Sequence, residues 1–173
     1  VYGHSSGAGL ALEAAAAGLT VDRLVLHEPP YTADDDAARA ASREFAAQVG
    51  HALDTGHPEE AIRMFLAPMG VPPEDLRRMT SDPQMLAVAP TMRYDLTVMG
   101  DATTGGGVPV ERARAVTAPT LVLLGTASGP LFESAALRLV AALPAGRLEV
   151  LDGHDHGAPA EAVAPVVAAF VTG

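Results

Sequence analysis

One pentapeptide near the start of the chain limits its possible folds more than any other segment. Residues 3–7 read Gly-His-Ser-Ser-Gly, a G-x-S-x-G pattern that follows two apolar residues and precedes an alanine-rich run with high helix propensity. This order predicts a sharp turn from a strand into a helix, with the hydroxyl of Ser5 exposed at the turn. Because the turn is tight, we expect a Cβ atom on Gly3 or Gly7 to crowd the contact between strand and helix.

The residue after this serine also has a predicted role. Ser6 begins the predicted helix, so its backbone N–H lies at the helix N-terminus, where partial positive charge favours an anion. A donor in that place faces the oxyanion that develops when a serine hydroxyl attacks a carbonyl group. The pattern therefore predicts a reactive serine with one oxyanion donor beside it.

Composition narrows the classes of protein that this chain can represent. The 173 residues are 49% hydrophobic, which is enough for a sizeable core, and the formal net charge of −10 disfavours nucleic acid and anionic membranes as partners. All eleven basic residues are arginine and alanine is abundant, which indicates a bacterial source with GC-rich coding. The chain has no cysteine, so disulfides, thiolate metal sites and cysteine catalysis are excluded. No apolar run reaches the roughly 20 residues that span a bilayer.

Strand and helix patterns alternate at both ends of the chain but not in its middle. This alternation predicts a parallel sheet flanked by helices, an α/β fold. We expect an α/β core from residues 1–30 and 117–173, and an inserted helical cap from residues 31–116. The predicted helices of the core are 6–18, 130–143 and 160–171, and its strands are 21–27, 119–125 and 147–151. In the cap, we predict four helices and a flexible loop over 103–107. The first helix is capped by Thr32 or Asp34 and runs to about Thr55, the second runs from His57 to about Pro68, the third opens at Pro72, and the fourth covers 83–99.

The order of these elements resembles the α/β-hydrolase fold. The residues that carry the resemblance are the G-x-S-x-G turn, the strand Pro119-Thr-Leu-Val-Leu-Leu-Gly125, and the loop from Gly153 to His156 that reads Gly-x-x-His. The chain looks most like bacterial serine esterases with a helical lid, beginning inside the fifth strand of the family's sheet. The resemblance then implies the C-terminal part of such a domain, with the second oxyanion donor supplied by the preceding third.

The resemblance implies a nucleophile and a general base. Ser5 stands at the family's nucleophile elbow. His156 follows the last predicted strand and matches the family's histidine loop, so it is expected to take the proton of Ser5 and later give it to the leaving group. His154 is the alternative base. The His-Asp-His sequence over 154–156 also suggests a metal, but no third ligand is marked by spacing, and we predict no metal site.

The third member of the triad departs from the family pattern. The family usually carries aspartate shortly after the strand that ends at Gly125, and Ser128 stands there instead. Serine cannot supply the negative charge that stabilises an imidazolium. Glu28, at the carboxyl end of the second predicted strand, is the expected substitute because active groups collect at strand ends in open α/β sheets. Asp95 and Asp101, at the end of the cap, are the alternative acids.

These expectations imply a cofactor-free serine hydrolase that cleaves a small apolar ester, thioester, lactone or amide through an acyl-enzyme. Two alternatives stay open from the sequence. The first is a C–C hydrolase, lyase or perhydrolase on the same fold, and the second is a non-catalytic ligand-binding or inactive relative. The expected partner is a small-molecule substrate, and the expected compartment is the cytoplasm, with export left open because the chain begins with Val1 rather than methionine.

Overall fold

The structure, a computed structural model, describes residues 1–69 and 71–173. Its sheet contains four strands in the order β1-β2-β3-β4, all of them parallel. The strands are β1 (Tyr2–His4), β2 (Leu24–His27), β3 (Thr120–Gly125) and β4 (Gly146–Leu151). The predicted parallel sheet flanked by helices is therefore confirmed.

The helices of the described residues follow the predicted order. They are α1 (Ser6–Ala16), α2 (Asp36–Asp54), α3 (Pro58–Leu66), α4 (Pro73–Ser81), α5 (Pro83–Val88), α6 (Met92–Met99), α7 (Asp101–Thr104), α8 (Val110–Arg114), α9 (Pro130–Ala142) and α10 (Ala160–Thr172), with 3₁₀ turns at Ala67–Met69 and Ala89–Thr91. None of the helices in the part of the chain that the structure describes combines the length and apolarity needed to cross a bilayer.

Several predicted bounds differ from the observed ones, most of them by one or two residues, and three of the differences are described here. The helix predicted over 83–99 is interrupted at Ala89–Thr91, because Pro90 has no N–H to donate and its ring disfavours a continuous helix. The loop predicted over 103–107 begins later, since α7 extends to Thr104. The strand predicted over 21–27 begins only at Leu24, whose N–H donates to the carbonyl of Pro119.

The described chain divides into two compact units. The first contains residues 1–35 and 107–173, and the second contains residues 36–106. The whole sheet belongs to the first unit, together with α1, α8, α9 and α10, whereas α2 to α7 form the second unit. The assignment of residues 31–116 to a cap remains a prediction.

Each unit has its own apolar core. In the first unit, buried side chains of the sheet pack with those of α10, namely Val25, Leu121, Leu123, Leu151, Val163 and Phe170. In the second unit, the buried side chains come from α2, α3 and α6, namely Ala46, Val49, Ala52, Ala61 and Leu96. Burial of one such leucine or valine side chain contributes about 1.5–3 kcal/mol. The core of the first unit therefore fixes the sheet on which the candidate site is built.

The parallel arrangement places four strand ends at one edge of the sheet. Ser5 follows β1, Glu28 follows β2, the turn at 126–129 follows β3, and the loop at 152–157 follows β4. In open α/β sheets, ligands bind outside the carboxyl ends of the strands. This edge is therefore where the sequence-predicted residues of the core can meet.

Candidate active site

Ser5 lies in the sharp turn between β1 and α1, as the pattern predicts. Its backbone has φ 56° and ψ −130°, a conformation that non-glycine residues rarely adopt. The N–H of Ser5 donates to the carbonyl of His27 at 2.9 Å, and the carbonyl of Ser5 accepts from the N–H of Ala8 at 2.9 Å. Such a backbone costs on the order of 1–3 kcal/mol and persists where the surrounding structure holds it in place.

The two glycines that flank the turn differ in importance. A Cβ atom on Gly3 would lie 2.3 Å from the carbonyl oxygen of Gly7, a backbone atom that cannot move without displacing the turn. A Cβ on Gly7 would meet no atom of the described residues within 4 Å, apart from its own helix and chain neighbours. The prediction of crowding is therefore borne out at Gly3 and wrong at Gly7, because the first turn of α1 exposes Gly7 on its open side. Ser6 is the first residue of α1, so its amide lies at the positive end of that helix.

Glu28 is buried at the end of β2 with both carboxylate oxygens engaged. Its side chain is 0% exposed, and its backbone has φ 46°, which makes it, with Ser5, one of two non-glycine residues of positive φ in the part of the chain that the structure describes. Oε1 accepts the N–H of Gly125 at 2.7 Å. Oε2 lies 2.8 Å from Nδ1 of His156. The carboxylate therefore links the ends of β2 and β3 to the loop that follows β4.

The surroundings of Glu28 keep its carboxylate charged. Burial acts to raise the pKa of Glu28, but the polar contacts of His156, Ser128 and Gly125 outweigh burial and hold the pKa below its ordinary value of 4.5. The buried hydroxyl of Ser128 makes no hydrogen bond within the described residues, so it acts on the carboxylate as a nearby dipole. Since an ionised carboxylate only accepts hydrogen bonds, Nδ1 of His156 carries the hydrogen and Nε2 of the neutral ring carries the lone pair.

The loop that carries His156 is held against the end of β3. The N–H of Gly153 donates to Oγ1 of Thr126 at 2.8 Å, and the N–H of Ala127 donates to the carbonyl of His154 at 2.8 Å. A Cβ atom on Gly125 would lie 2.3 Å from that same carbonyl oxygen, so only glycine allows the loop to approach β3 this closely. These contacts restrain the backbone that positions His156.

Aromatic rings surround the imidazole of His156. The ring of Phe132 lies 4.5 Å from it between centroids, with an angle of 21° between the planes, and the ring of His4 lies 4.6 Å away at 32°. Nε2 of His4 is also 2.9 Å from the carbonyl oxygen of His156. Sequence reasoning missed Phe132, because a single phenylalanine in the first turn of a helix is not part of any motif.

A second buried histidine lies next to this group. The ring of His27 is 4.7 Å from that of His4, and its Nδ1 lies 2.8 Å from the hydroxyl of Tyr2. Burial, followed by the nearby charge of His4, lowers the pKa of His27 to about 4. His27 is therefore neutral at pH 7 and adds no charge beside the Glu28–His156 pair.

The two alternative acids belong to the second unit, and the alternative base His154 lies in the same loop as His156. Asp101 belongs to the second unit, where its Oδ1 accepts a hydrogen bond from the hydroxyl of Ser42 at 2.5 Å and burial raises its pKa. Asp95 lies in the first turn of α6, also in the second unit. The carboxylate of Glu28 contacts His156 and not His154. Across residues 1–69 and 71–173, no three or more His, Asp or Glu side chains converge in a way that could hold a metal ion.

Comparison with solved structures gives clear likenesses. Over 99% of its length the chain resembles an alpha/beta hydrolase from Sphaerobacter thermophilus DSM 20745, with 36% identity and a TM-score of 0.79, and it covers 66% of that chain. It also resembles MenH from S. aureus, with 18% identity, a TM-score of 0.71, and coverage of 98% of this chain and 66% of that one. A thermophilic esterase from Thermogutta terrifontis gives 20% identity, a TM-score of 0.60, and coverage of 98% and 62%.

These likenesses carry different weights. The two structures near 20% identity share the fold alone, whereas the first is also related in sequence over nearly the whole chain. The chain spans about two thirds of the length of these relatives. No protein-family model and no curated protein matches it. With its parallel sheet, its strained serine turn after β1 and its histidine loop after β4, the chain belongs to the α/β-hydrolase family.

Proposed function

We propose that the protein is a serine hydrolase that cleaves a small apolar ester, thioester, lactone or amide through an acyl-enzyme. The observation that carries the proposal is the 2.8 Å contact between Glu28 and His156, at the same edge of the sheet as the strained turn at Ser5. A buried carboxylate, a histidine with Nε2 left as acceptor, and a half-buried serine at a strand-to-helix turn are the parts of a hydrolytic triad.

In the proposed first step, Oγ of Ser5 attacks the carbonyl carbon of the substrate. The hydroxyl proton passes to Nε2 of His156, and the carbonyl oxygen becomes an oxyanion. When the oxyanion collapses, the bond to the leaving group breaks, and the leaving oxygen, sulfur or nitrogen takes the proton from His156. Ser5 then carries the acyl group as an ester.

In the second step, water replaces the acyl group. His156 takes a proton from water as the oxygen attacks the ester carbon, and the proton returns to Oγ of Ser5 when the acid product leaves. Glu28 stabilises the imidazolium that forms in both steps, because its charged carboxylate accepts from Nδ1. The backbone N–H of Ser6, at the positive end of α1, donates to the oxyanion. These steps use side chains, backbone and water.

The proposed class of substrate rests on the resemblance to bacterial esterases and on the fold shared with an esterase from Thermogutta terrifontis. An apolar acyl group suits a site in which the base itself is packed against the ring of Phe132. A panel of p-nitrophenyl esters with acyl chains of increasing length measures the preference directly.

Labelling with a fluorophosphonate tests the proposal. Oγ of an activated serine displaces fluoride from the probe, and the adduct is found by intact mass and located by peptide mapping. We expect labelling at Ser5 in the full-length protein, loss of labelling in Ser5→Ala and His156→Ala, and unchanged labelling in the control Ser134→Ala on α9. A folded protein that takes no label at Ser5 would overturn the proposal and favour a ligand-binding relative without catalysis.

A further inference from the structure

The contact between Phe132 and His156 has no part in the steps described above. Phe132 lies in the first turn of α9 and is half-buried. Its ring lies 4.5 Å from the imidazole of His156 between centroids, with 21° between the planes, which is a stacked contact rather than an edge contact. Both residues belong to the first unit, so one compact body holds them.

The hydrogen bond to Glu28 does not by itself fix the plane of the imidazole. It restrains one atom, Nδ1, and leaves the ring free to swing about the line from Nδ1 to Oε2 of Glu28. Such a swing moves Nε2, the atom that has to meet the serine hydroxyl. A flat ring packed against the imidazole face opposes the swing, because any tilt loses the van der Waals contact between the two rings. The ring of His4 opposes the swing too, but it is less parallel to the imidazole, with an angle of 32° between the planes.

We propose that Phe132 is a positioning residue of this hydrolase, whose ring holds the imidazole plane of His156 so that Nε2 is aimed at Oγ of Ser5. The inference rests on the proposed function. It deepens that proposal by adding a residue from α9, next to the turn where Ser128 replaces the family's usual aspartate. Base catalysis contributes about 10²–10⁴-fold and needs the proton acceptor within hydrogen-bond reach of the proton.

The stack has a second consequence during turnover. When His156 takes the proton of Ser5, the ring becomes an imidazolium, and the negative face of the Phe132 ring attracts that charge. The charged and titratable groups that contact His156 from the other strands are Glu28, which follows β2, and His4 on β1, whose ring also contacts that of His27. Phe132 supplies an apolar contact and a ring face that attracts the imidazolium charge, and it adds no further titrating group.

Two apolar replacements without a ring, Phe132→Leu and Phe132→Met, test the role against Phe132→Tyr, which keeps the ring. In the full-length protein we expect both ringless variants to lower kcat for ester hydrolysis about tenfold, with KM within about twofold of wild type. The rate constant for fluorophosphonate labelling of Ser5 is expected to fall by the same factor. Phe132→Tyr is expected to stay within about twofold of wild type on both measures. Leu131→Ala, the exposed neighbour on α9, is the control for general damage to the helix.

The outcomes separate this inference from the proposed function. A wild-type protein that does not label at Ser5 would remove the proposed function, and the role of Phe132 with it. A wild type that labels, beside folded ringless variants that label equally fast, would overturn the positioning role alone. If Phe132→Tyr were as slow as the ringless variants, stacking would not be the property that matters, and the inference would again be wrong. Thermal melts of all the variants establish that the compared proteins are folded.

Discussion

Oε2 of Glu28 lies 2.8 Å from Nδ1 of His156, although 128 positions of sequence separate the two residues. The parallel order of the strands brings them together, since Glu28 follows β2 and His156 belongs to the loop after β4. The strand between them, β3, takes part through the N–H of Gly125, which donates to the other carboxylate oxygen. Three strand ends are thus joined by one buried side chain.

The first prediction concerns the charge of that side chain. In Glu28→Gln, one of the two accepting oxygens becomes an NH₂ group, so either Gly125 or His156 loses its acceptor. If the amide faces His156, Nδ1 has to accept, the hydrogen moves to Nε2, and the ring can no longer take the proton of Ser5. We expect kcat to fall about 100-fold or more.

Steady-state hydrolysis of a p-nitrophenyl ester measures this loss, with Glu149→Gln on the exposed side of β4 as the matched control. The control removes an equal charge from the same sheet and is expected to keep wild-type activity. Full activity in a folded Glu28→Gln protein would remove Glu28 from the triad and return attention to Asp95 and Asp101.

Much of this arrangement follows from local patterns in the sequence. The G-x-S-x-G turn predicts the position of Ser5, and a nearly continuous apolar run followed by Glu28 and two prolines predicts a buried parallel strand with an acid at its end. Because parallel strands end at one edge, the proximity of Glu28 and His156 could be expected before any coordinates were known. Their roles in catalysis remain predictions.

Other features depend on packing, which no local pattern encodes. The stack of Phe132 on His156 requires the path of two loops and a side-chain rotamer, and the hydrogen bond from His4 to the carbonyl of His156 requires the same loop geometry. The wrong prediction that a Cβ on Gly7 would be crowded has a similar origin. The sequence does not tell whether the open side of a glycine faces backbone atoms or free space. Pro90 does mark the break in the predicted helix over 83–99, because proline disfavours a continuous helix.

The second prediction separates the two glycines of the serine turn. In Gly3→Ala, the new Cβ would lie 2.3 Å from a backbone oxygen, so the turn has to shift, and we expect the free energy of unfolding to fall by about 1–3 kcal/mol. In Gly7→Ala the Cβ enters open space within α1, and the higher helix propensity of alanine is expected to stabilise by up to about 1 kcal/mol. Urea unfolding of the two variants measures both changes, and equal losses at the two positions would contradict the prediction.

The third prediction concerns pH and His27. The folded protein protonates this ring only near pH 4, whereas the unfolded chain protonates it near 6.5. Between these values the unfolded state binds more protons, so stability falls as the pH falls from about 6.5 to about 4. At pH 5 the loss from this one residue is expected to be about 1–2 kcal/mol relative to pH 7.

Urea unfolding at pH 7 and pH 5, for wild type and His27→Gln, isolates that loss. The variant lacks the titrating ring and is expected to lose less stability between the two pH values, while the titratable groups away from His27 contribute equally to both proteins. The ordinary pKa of Glu28, 4.5, lies below the measured range of pH 5 to 7, and the folded protein lowers that pKa, so the titration of Glu28 contributes little between the two pH values. The same pH dependence in both proteins would show that His27 is not the group responsible.

The fourth prediction asks whether an acid at position 128, after β3, is compatible with the acid at Glu28, after β2. Ser128 occupies the turn where the family usually carries aspartate, and its buried hydroxyl lies near the carboxylate of Glu28. In Ser128→Asp, a second carboxylate enters this site, and two like charges in a buried place oppose each other. We expect the free energy of unfolding at pH 7 to fall by about 1–3 kcal/mol, and to fall by clearly less when the same change is made in a Glu28→Gln protein, where only one charge remains.

Urea unfolding of the four proteins gives the coupling between the two positions as a double-mutant cycle. Equal losses in both backgrounds would mean that the two side chains do not interact. The presence of serine rather than aspartate at position 128 would then be unrelated to the acid at Glu28.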